Sequence, residues 1–375
     1  MIGCATAFFA RRAGLRTIVI EKRPALATLT TPVSTGAFRL QFDNPEEIAL
    51  VRESVDFFDR FAEETGLKDW DLELRHQGYL FVATTEQGEA QQASLVRAQR
   101  QWGLTDVEQL TGDEARKRFS YLAPEARSAR FRQQDGWLNP RRLALGLAQA
   151  SGAEFRLGRP VTGFEFAGDR PIGVRTSTET IHASTVVLAA GPLSGSVGRL
   201  AGLELPLVTV RRHKLVVPRL PAVPAGAPMT IEFETGAHWR PALSGAFGLW
   251  TAPAAAEEPL EDPPPSSDFA FGLLDPRSDH ALARIAPFWK DAWASPSLDW
   301  FLQAGYYDYT PDHRPLLGPS VAPGLALNTG YSGHGIMGSI GGSRRVIDAI
   351  TGRLRAQDNP LRPDRTMTVR PLDVL

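Results

Sequence analysis

Several short clusters in this chain bring together residue types able to do chemistry. The segment Gly330-Tyr331-Ser332-Gly333-His334-Gly335-Ile336-Met337 follows the apolar run Leu325–Thr329 and leads toward a helix expected over 342–350. A glycine-rich turn at a helix start offers free N–H groups and a positive dipole end to an anion. Such an edge suits a ring system that gathers negative charge as it accepts a hydride. Upstream, Tyr306, Tyr307 and Tyr309 fall within four positions, a pattern that suits a pocket wall, because the rings pack while the hydroxyls bond. The following Thr310-Pro311-Asp312 reads as a rigid turn, with Asp312 structural. Arg39, after Phe38, and Arg240, after Trp239, are arginines beside aromatics and so candidates for holding a carboxylate in two-point fashion. His334 is a candidate donor at the glycine turn. Lys214, in Arg211-Arg212-His213-Lys214, reads as a strand-edge surface lysine or, alternatively, as a cation available to oxygen.

At the other end of the chain, Met1 to Gly14 reads as a helix and a turn, and Leu15 to Glu21 as an apolar strand ending in an acid. In a βαβ dinucleotide-binding unit a G-x-G-x-x-G turn precedes the helix, and an acid about 20 residues on binds a ribose. Gly3 fits the third glycine, and Glu21 fits the acid. The first strand and first two glycines are expected upstream of Met1. Taken alone, the same residues also describe an ordinary helix-to-strand connection.

The elements that must position these residues follow from periodicity. Asn44 caps a helix whose apolar face is Ile48, Val51, Val55, Phe58 and Ala62. A buried strand is predicted over 78–83, helices over 86–102, 110–119 and 141–150, and strands over 154–157, 160–167, 173–177 and 180–182. An apolar strand at 184–190 runs into Gly191-Pro192. Short strands typical of an antiparallel sheet occupy 205–250. A proline-rich excursion covers 252–268, and a helix is predicted over 277–293. Nucleotide-type elements therefore recur at both ends and in the middle. The fold class is α/β: a Rossmann-type unit over 1–42, 135–204 and 301–375, its first strand missing, with an antiparallel-sheet domain inserted over 43–134 and 205–300.

Composition narrows the class. With 375 residues, 43% of them hydrophobic, the chain can bury a large core. Its net charge of −1 gives no reason to expect nucleic acid or an anionic membrane as partner. The lone cysteine, Cys4, rules out an internal disulfide or a Cys-based metal cluster. No run is long and apolar enough for a membrane span, and a cytoplasmic location is expected.

Four features in order resemble the D-amino-acid oxidase-like superfamily of FAD-dependent oxidoreductases, nearest the sarcosine oxidase, glycine oxidase and dimethylglycine dehydrogenase branch. They are Gly3 with Glu21; Ser34-Thr35-Gly36-Ala37-Phe38-Arg39; Ala189-Ala190-Gly191-Pro192; and Tyr307-Asp308-Tyr309-Thr310-Pro311-Asp312 with the Gly330–Gly335 turn. Together they span essentially the whole chain.

The resemblance implies FAD as cofactor, with Glu21 and Lys22 at the ribose. Thr30, Thr31, Ser34, Thr35 and Gly36 would lie along the pyrophosphate and flavin. Val161 would hold the adenine through its backbone, Ala190 and Gly191 would close over the nucleotide, and Gly333, His334, Gly335, Ile336 and Met337 would line the flavin's pyrimidine edge. It further implies hydride transfer from an amine or amino acid to flavin N5, hydrolysis of the imine, and reoxidation by oxygen or an electron carrier. Arg39, Arg240, Tyr307 and His334 are then the candidate substrate contacts.

The chain also departs from the family pattern. Gly305 stands where sarcosine oxidases often carry the flavin-linking cysteine, so noncovalent FAD is expected. Met337 and Gly333 replace the usual carboxylate-binding lysine and arginine, which argues against sarcosine and glycine as substrates. Two other readings fit these residues: a noncatalytic flavin-binding assembly factor, and the flavin subunit of a heteromeric amine dehydrogenase.

Overall fold

The computed structural model describes residues 1–370. Helix Ile2–Arg12 buries Cys4 through Ala10 and leads into strand Ile18–Ile20, which pairs in parallel with Glu154–Arg156. A second parallel pair, Val186–Leu188 with Leu325–Thr329, gains an antiparallel neighbour in Leu316–Pro319. These two parallel pairs lie in separate sheets, and Ile18–Ile20 and Val186–Leu188 each keep one edge without a strand partner among the described residues. Helices Pro140–Ser151 and Gly335–Ile350 pack on the first helix. Strands Val161–Ala167, Arg170–Thr176 and Thr180–His182 form a separate antiparallel sheet.

The rest of the molecule is built on an eight-stranded sheet that is mixed rather than antiparallel as expected, because Met229–Glu232 pairs in parallel with Tyr79–Ala83. Its order is Phe301–Tyr309, Val208–Val217, Gly245–Leu249, His238–Ala242, Met229–Glu232, Tyr79–Ala83, Ser128–Arg132 and Glu108–Thr111. Because side chains alternate across a strand, the register sorts this sheet into two faces. Trp239, Leu215, Val217, Leu80, Val82 and Phe131 fall on one face, in apolar clusters shared with helices Ser267–Leu274 and Phe288–Ala294. Arg240 pairs with Phe247, Phe247 with Val216, Phe81 with Arg130, and Ile231 with both Phe81 and His238. These residues make up the other face, which is rich in aromatics and cations and turns toward the short antiparallel pair of Ala37–Phe38 with Gly136–Trp137.

Several expectations need correction. The helix expected over 277–293 is a loop, a single 3-10 turn at Leu282–Arg284 and a short helix Phe288–Ala294, preceded by helix Ser267–Leu274. Pro287 removes an N–H and clashes with the preceding turn, so no continuous helix can pass it. The C-terminal helix begins at Gly335, seven residues before the expected start at 342. Its glycines lie where Leu50 and Tyr331 press in: a Cβ at Gly338 would fall 2.8 Å from Tyr331 Cε1, and one at Gly341 or Gly342 would collide outright. Packing therefore overrides the low helix propensity of glycine. The span 110–119 divides into strand Glu108–Thr111 and helix Gly112–Arg118, joined by a Thr111/Glu114 capping box. Strand Ser128–Arg132 was not foreseen. Strand Phe301–Tyr309, expected on the nucleotide side of a boundary at 300, pairs along its whole length with Val208–Val217.

Candidate functional site

The segment 30–36 sits at the centre of the site. Thr30–Val33 forms one helical turn, and Thr30 Oγ1 donates to the Tyr306 carbonyl at 3.4 Å. Thr31 and Ser34 are partly exposed on the same turn. Gly36 has φ +70° and presses on the Leu138 carbonyl, leaving no room for a Cβ. Two buried cations hold this segment by its carbonyls. Arg240 donates from Nε (3.1 Å) and Nη2 (2.6 Å) to Thr35 O, and from Nη1 to Pro241 O at 2.7 Å. Lys214 Nζ donates to Pro32 O at 3.3 Å and Ser34 O at 3.5 Å. Both cations sit over the Phe247 ring, at 4.7 Å for Arg240 and 4.4 Å for Lys214. Burial pushes the Arg240 guanidinium down to about 9, and burial together with Arg240 pushes the Lys214 amine down to about 7. Lys214 is therefore buried, not a surface lysine, and Arg240 is largely committed to the backbone.

Arg39 is the cation left open. It is buried, lies over the rings of Phe42 (4.6 Å) and Phe81 (5.7 Å), and has no hydrogen-bond partner among the described residues. Beside it is Arg130, which the sequence reading missed. Its guanidinium lies over Phe81 at 4.3 Å, the residue is 2% exposed, and Nε and Nη1 have no partner. Burial and the neighbouring Arg39 push it down to about 9. Tyr79, also missed, lies within electrostatic reach of Arg39, Arg240 and Tyr307; burial pushes its hydroxyl up. Burial, then Tyr309, pushes Tyr307 up to about 12. The Tyr307 ring backs onto Gly333, whose φ is +92° and where a Cβ would fall 2.5 Å from ring carbon Cε2. Tyr306 points elsewhere, its hydroxyl accepting from Leu260 N.

His334 is the residue before helix Gly335–Ile350, and no side chain caps that helix. The N–H groups of Gly335, Ile336 and Met337 accordingly have no acceptor among the described residues. His334 Nδ1 meets Glu47 Oε1 at 3.2 Å, with the Phe42 ring against the imidazole at 5.0 Å. Burial alone would raise Glu47, but His334, the Asn44 amide (2.6 Å) and Arg39 hold its carboxyl below the usual range. Glu47 lies in the first turn of helix Pro45–Asp59, where sequence alone shows only an acid at a helix start. Asp312 is structural as expected: Arg365 bonds both carboxylate oxygens, at 2.8 and 2.9 Å.

Where the first helix meets its strand, a Cβ at Gly3 would fall an ordinary 4.0 Å from Val19 Cγ1, so packing there does not require glycine. Glu21 follows that strand, and its Oε1 accepts from Arg23 N at 2.9 Å. Lys22 is ion-paired with Glu261 of the excursion, and Arg23 with Asp262 at 3.3 Å. Val161 opens its strand. Ala190 precedes the turn Gly191–Leu193, where Gly191 has φ +56° and open space around it. Among the described residues no group of three or more His, Cys, Asp or Glu could hold a metal, and no helix is long and apolar enough to cross a membrane.

Comparison with known proteins adds to this geometry. The family model described as FAD dependent oxidoreductase (DAO) matches residues 1–349. FAD-dependent oxidoreductase domain-containing protein 1 of Xenopus laevis is 28% identical over 91% of this chain and 74% of its own. Human mitochondrial sarcosine dehydrogenase is 26% identical over 90% of this chain and 37% of its own. The crystal structure of L-proline dehydrogenase from P. horikoshii shares the fold, with a TM-score of 0.83 at 22% identity, covering 96% of this chain and 94% of that one.

Proposed function

The chain belongs to the DAO family of FAD-dependent oxidoreductases, and from that premise we propose that it oxidises the C–N bond of a carboxylate-bearing amine, either an amino acid or its N-methyl or cyclic analogue. The residues suit FAD. The uncapped helix at Gly335 offers N–H groups to an anionic ring edge, Gly333 lets the preceding turn pack against the Tyr307 ring, and Gly36 lets segment 30–36 lie against the Leu138 carbonyl. When bound, FAD supplies the two-electron acceptor for a hydride leaving the substrate carbon.

The chain's own residues bind and orient the substrate. Arg39, buried over two aromatic rings with no acceptor of its own, carries this reading: a carboxylate is the complement that such a fork lacks. Tyr79 and Tyr307 stay protonated across the physiological range, so both can donate to that carboxylate or to the amine. With Nδ1 engaged by Glu47, His334 keeps Nε2 for the proton that the amine must lose as the C=N bond forms. The imine then hydrolyses in water. Arg240 and Lys214 keep segment 32–35 in place.

The test is anaerobic mixing of the FAD-loaded protein with D- and L-amino acids, N-methyl amino acids and cyclic imino acids. Bleaching of the flavin by members of this set, and by no amine lacking a carboxylate, is the expected result. Arg39→Ala should raise the KM for the reactive compound about 30- to 1000-fold, the loss of a buried charge-assisted contact. If no amine bleaches the flavin, the reading fails. If carboxylate-free amines react equally well and Arg39→Ala leaves KM unchanged, the substrate has no carboxylate.

A further inference from the structure

One buried charge is left without a task by the reaction above. Arg130 lies on the site face of the large sheet, in register with Phe81, and stacks on that ring from its neighbouring strand. It is 2% exposed, and its Nε and Nη1 meet no acceptor. The carboxylates around it are already engaged. Asp135 receives Arg132, Gln41 and the Leu40 N–H, while Asp43 pairs with Arg370 at 2.9 Å. Three arginines, Arg39, Arg130 and Arg240, therefore face this side of the sheet with Glu47, and Glu47 is held by His334. A guanidinium buried with unpaired donors is costly unless an anion completes it. One substrate carboxylate answers Arg39 and leaves Arg130 still unmatched.

We propose that the substrate is a dicarboxylate, an amino or imino acid with a second carboxylate that docks on Arg130 across the Phe81 ring while the first is held by Arg39. This rests on the amine-oxidation reading for the reacting end of the molecule, but not for the anion subsite itself. Both guanidinium groups lie over the same ring, at 4.3 and 5.7 Å from its centroid, which is close enough for the two carboxylates of one small molecule to reach both. Surrounding positive charge points the same way, since burial and Arg39 hold His238 neutral, pushed down to about 4.

Succinate and butyrate, four-carbon acids differing by one carboxylate, are titrated into the FAD-loaded protein and followed by perturbation of the flavin spectrum and by calorimetry. Neither is an amine, so the result is independent of turnover and of the fate of the amine-oxidation reading. Succinate should bind at least about 30-fold more tightly than butyrate, and Arg130→Met should bring that ratio to about 1. Arg130→Lys, which keeps a charge in the same space, should retain part of the preference and serves where the methionine variant fails to fold. Equal binding of the two acids by the native protein would overturn the proposal, as would no binding of either, or a preference that survives Arg130→Met. Loss of both acids together in Arg130→Met, from equal starting affinities, would instead mean that the two arginines clamp a single carboxylate.

Discussion

Lys214 and Arg240 are two cations whose roles are set by the face of the sheet they occupy. Each touches Phe247 and each donates to the backbone of 32–35, and neither is ion-paired with a carboxylate among the described residues. For Lys214 this has a consequence for pH. Its amine is pushed from 10.5 down to about 7, chiefly by burial. Between about pH 7 and 10.5 the unfolded chain holds a proton that the native protein does not, so stability rises with pH across that window. Below pH 7 the native state must carry a buried ammonium, and this contribution is lost. Urea unfolding of the FAD-free protein beside Lys214→Met isolates the effect, because methionine does not titrate. The native protein should gain about 5 kcal/mol relative to the variant between pH 7 and 10.5. A constant gap would show that Lys214 titrates normally.

Among the elements, the turn before helix Gly335–Ile350 has the least freedom. Gly333 combines a left-handed φ of +92° with the Tyr307 ring at its back, so a side chain there meets both backbone strain and a collision. Gly333→Ala should lower stability by roughly 1–3 kcal/mol and weaken FAD binding, because the same shift disturbs the N–H groups of the first turn. Thermal melting and FAD titration check both effects; an alanine variant with unchanged melting and unchanged FAD affinity would show that the turn can relax. The excursion at 252–266 is a different kind of element. It has little internal hydrogen bonding, yet its acids pair with bases from several places, Glu257 with Arg211, Glu258 with Arg199, Glu261 with Lys22 and Asp262 with Arg23. It ties strand Val208–Val217 to the nucleotide end through charge.

Across the whole molecule, the first helix and the parallel strands it packs on form one part, and the large sheet provides a wall of cations and aromatic rings. The two meet where strand Phe301–Tyr309 passes behind segment 30–36. Gly305 lies on that strand against Val33, and the chain's single cysteine is buried in the first helix. No thiol is available at this meeting point. Acid precipitation of the purified protein should therefore release FAD into the supernatant; yellow colour kept in the pellet would reveal a covalent link through another residue.

How much of this was legible in the sequence depended on the range of the interaction. Local patterns sufficed for the helix capped by Asn44, the strands at 79–83 and 154–182, the glycine turn at 330–335 and the structural Asp312, because capping, alternation and turn chemistry act within a few residues. The ordered motifs across the chain were enough to point to the FAD-dependent family. Residues whose meaning comes from distant partners were not readable. Arg130 looks like one arginine of a short polar run until Phe81 and Arg39 are laid beside it, and Glu47 looks like a helix-start acid until His334, far along the chain, reaches it. Arg240 looks like a free carboxylate anchor until its fork is seen on Thr35 O. The early start of the C-terminal helix was likewise settled by packing against Leu50 and Tyr331. Burial and charge compensation are sums over the folded neighbourhood, and only the tertiary structure assembles that neighbourhood.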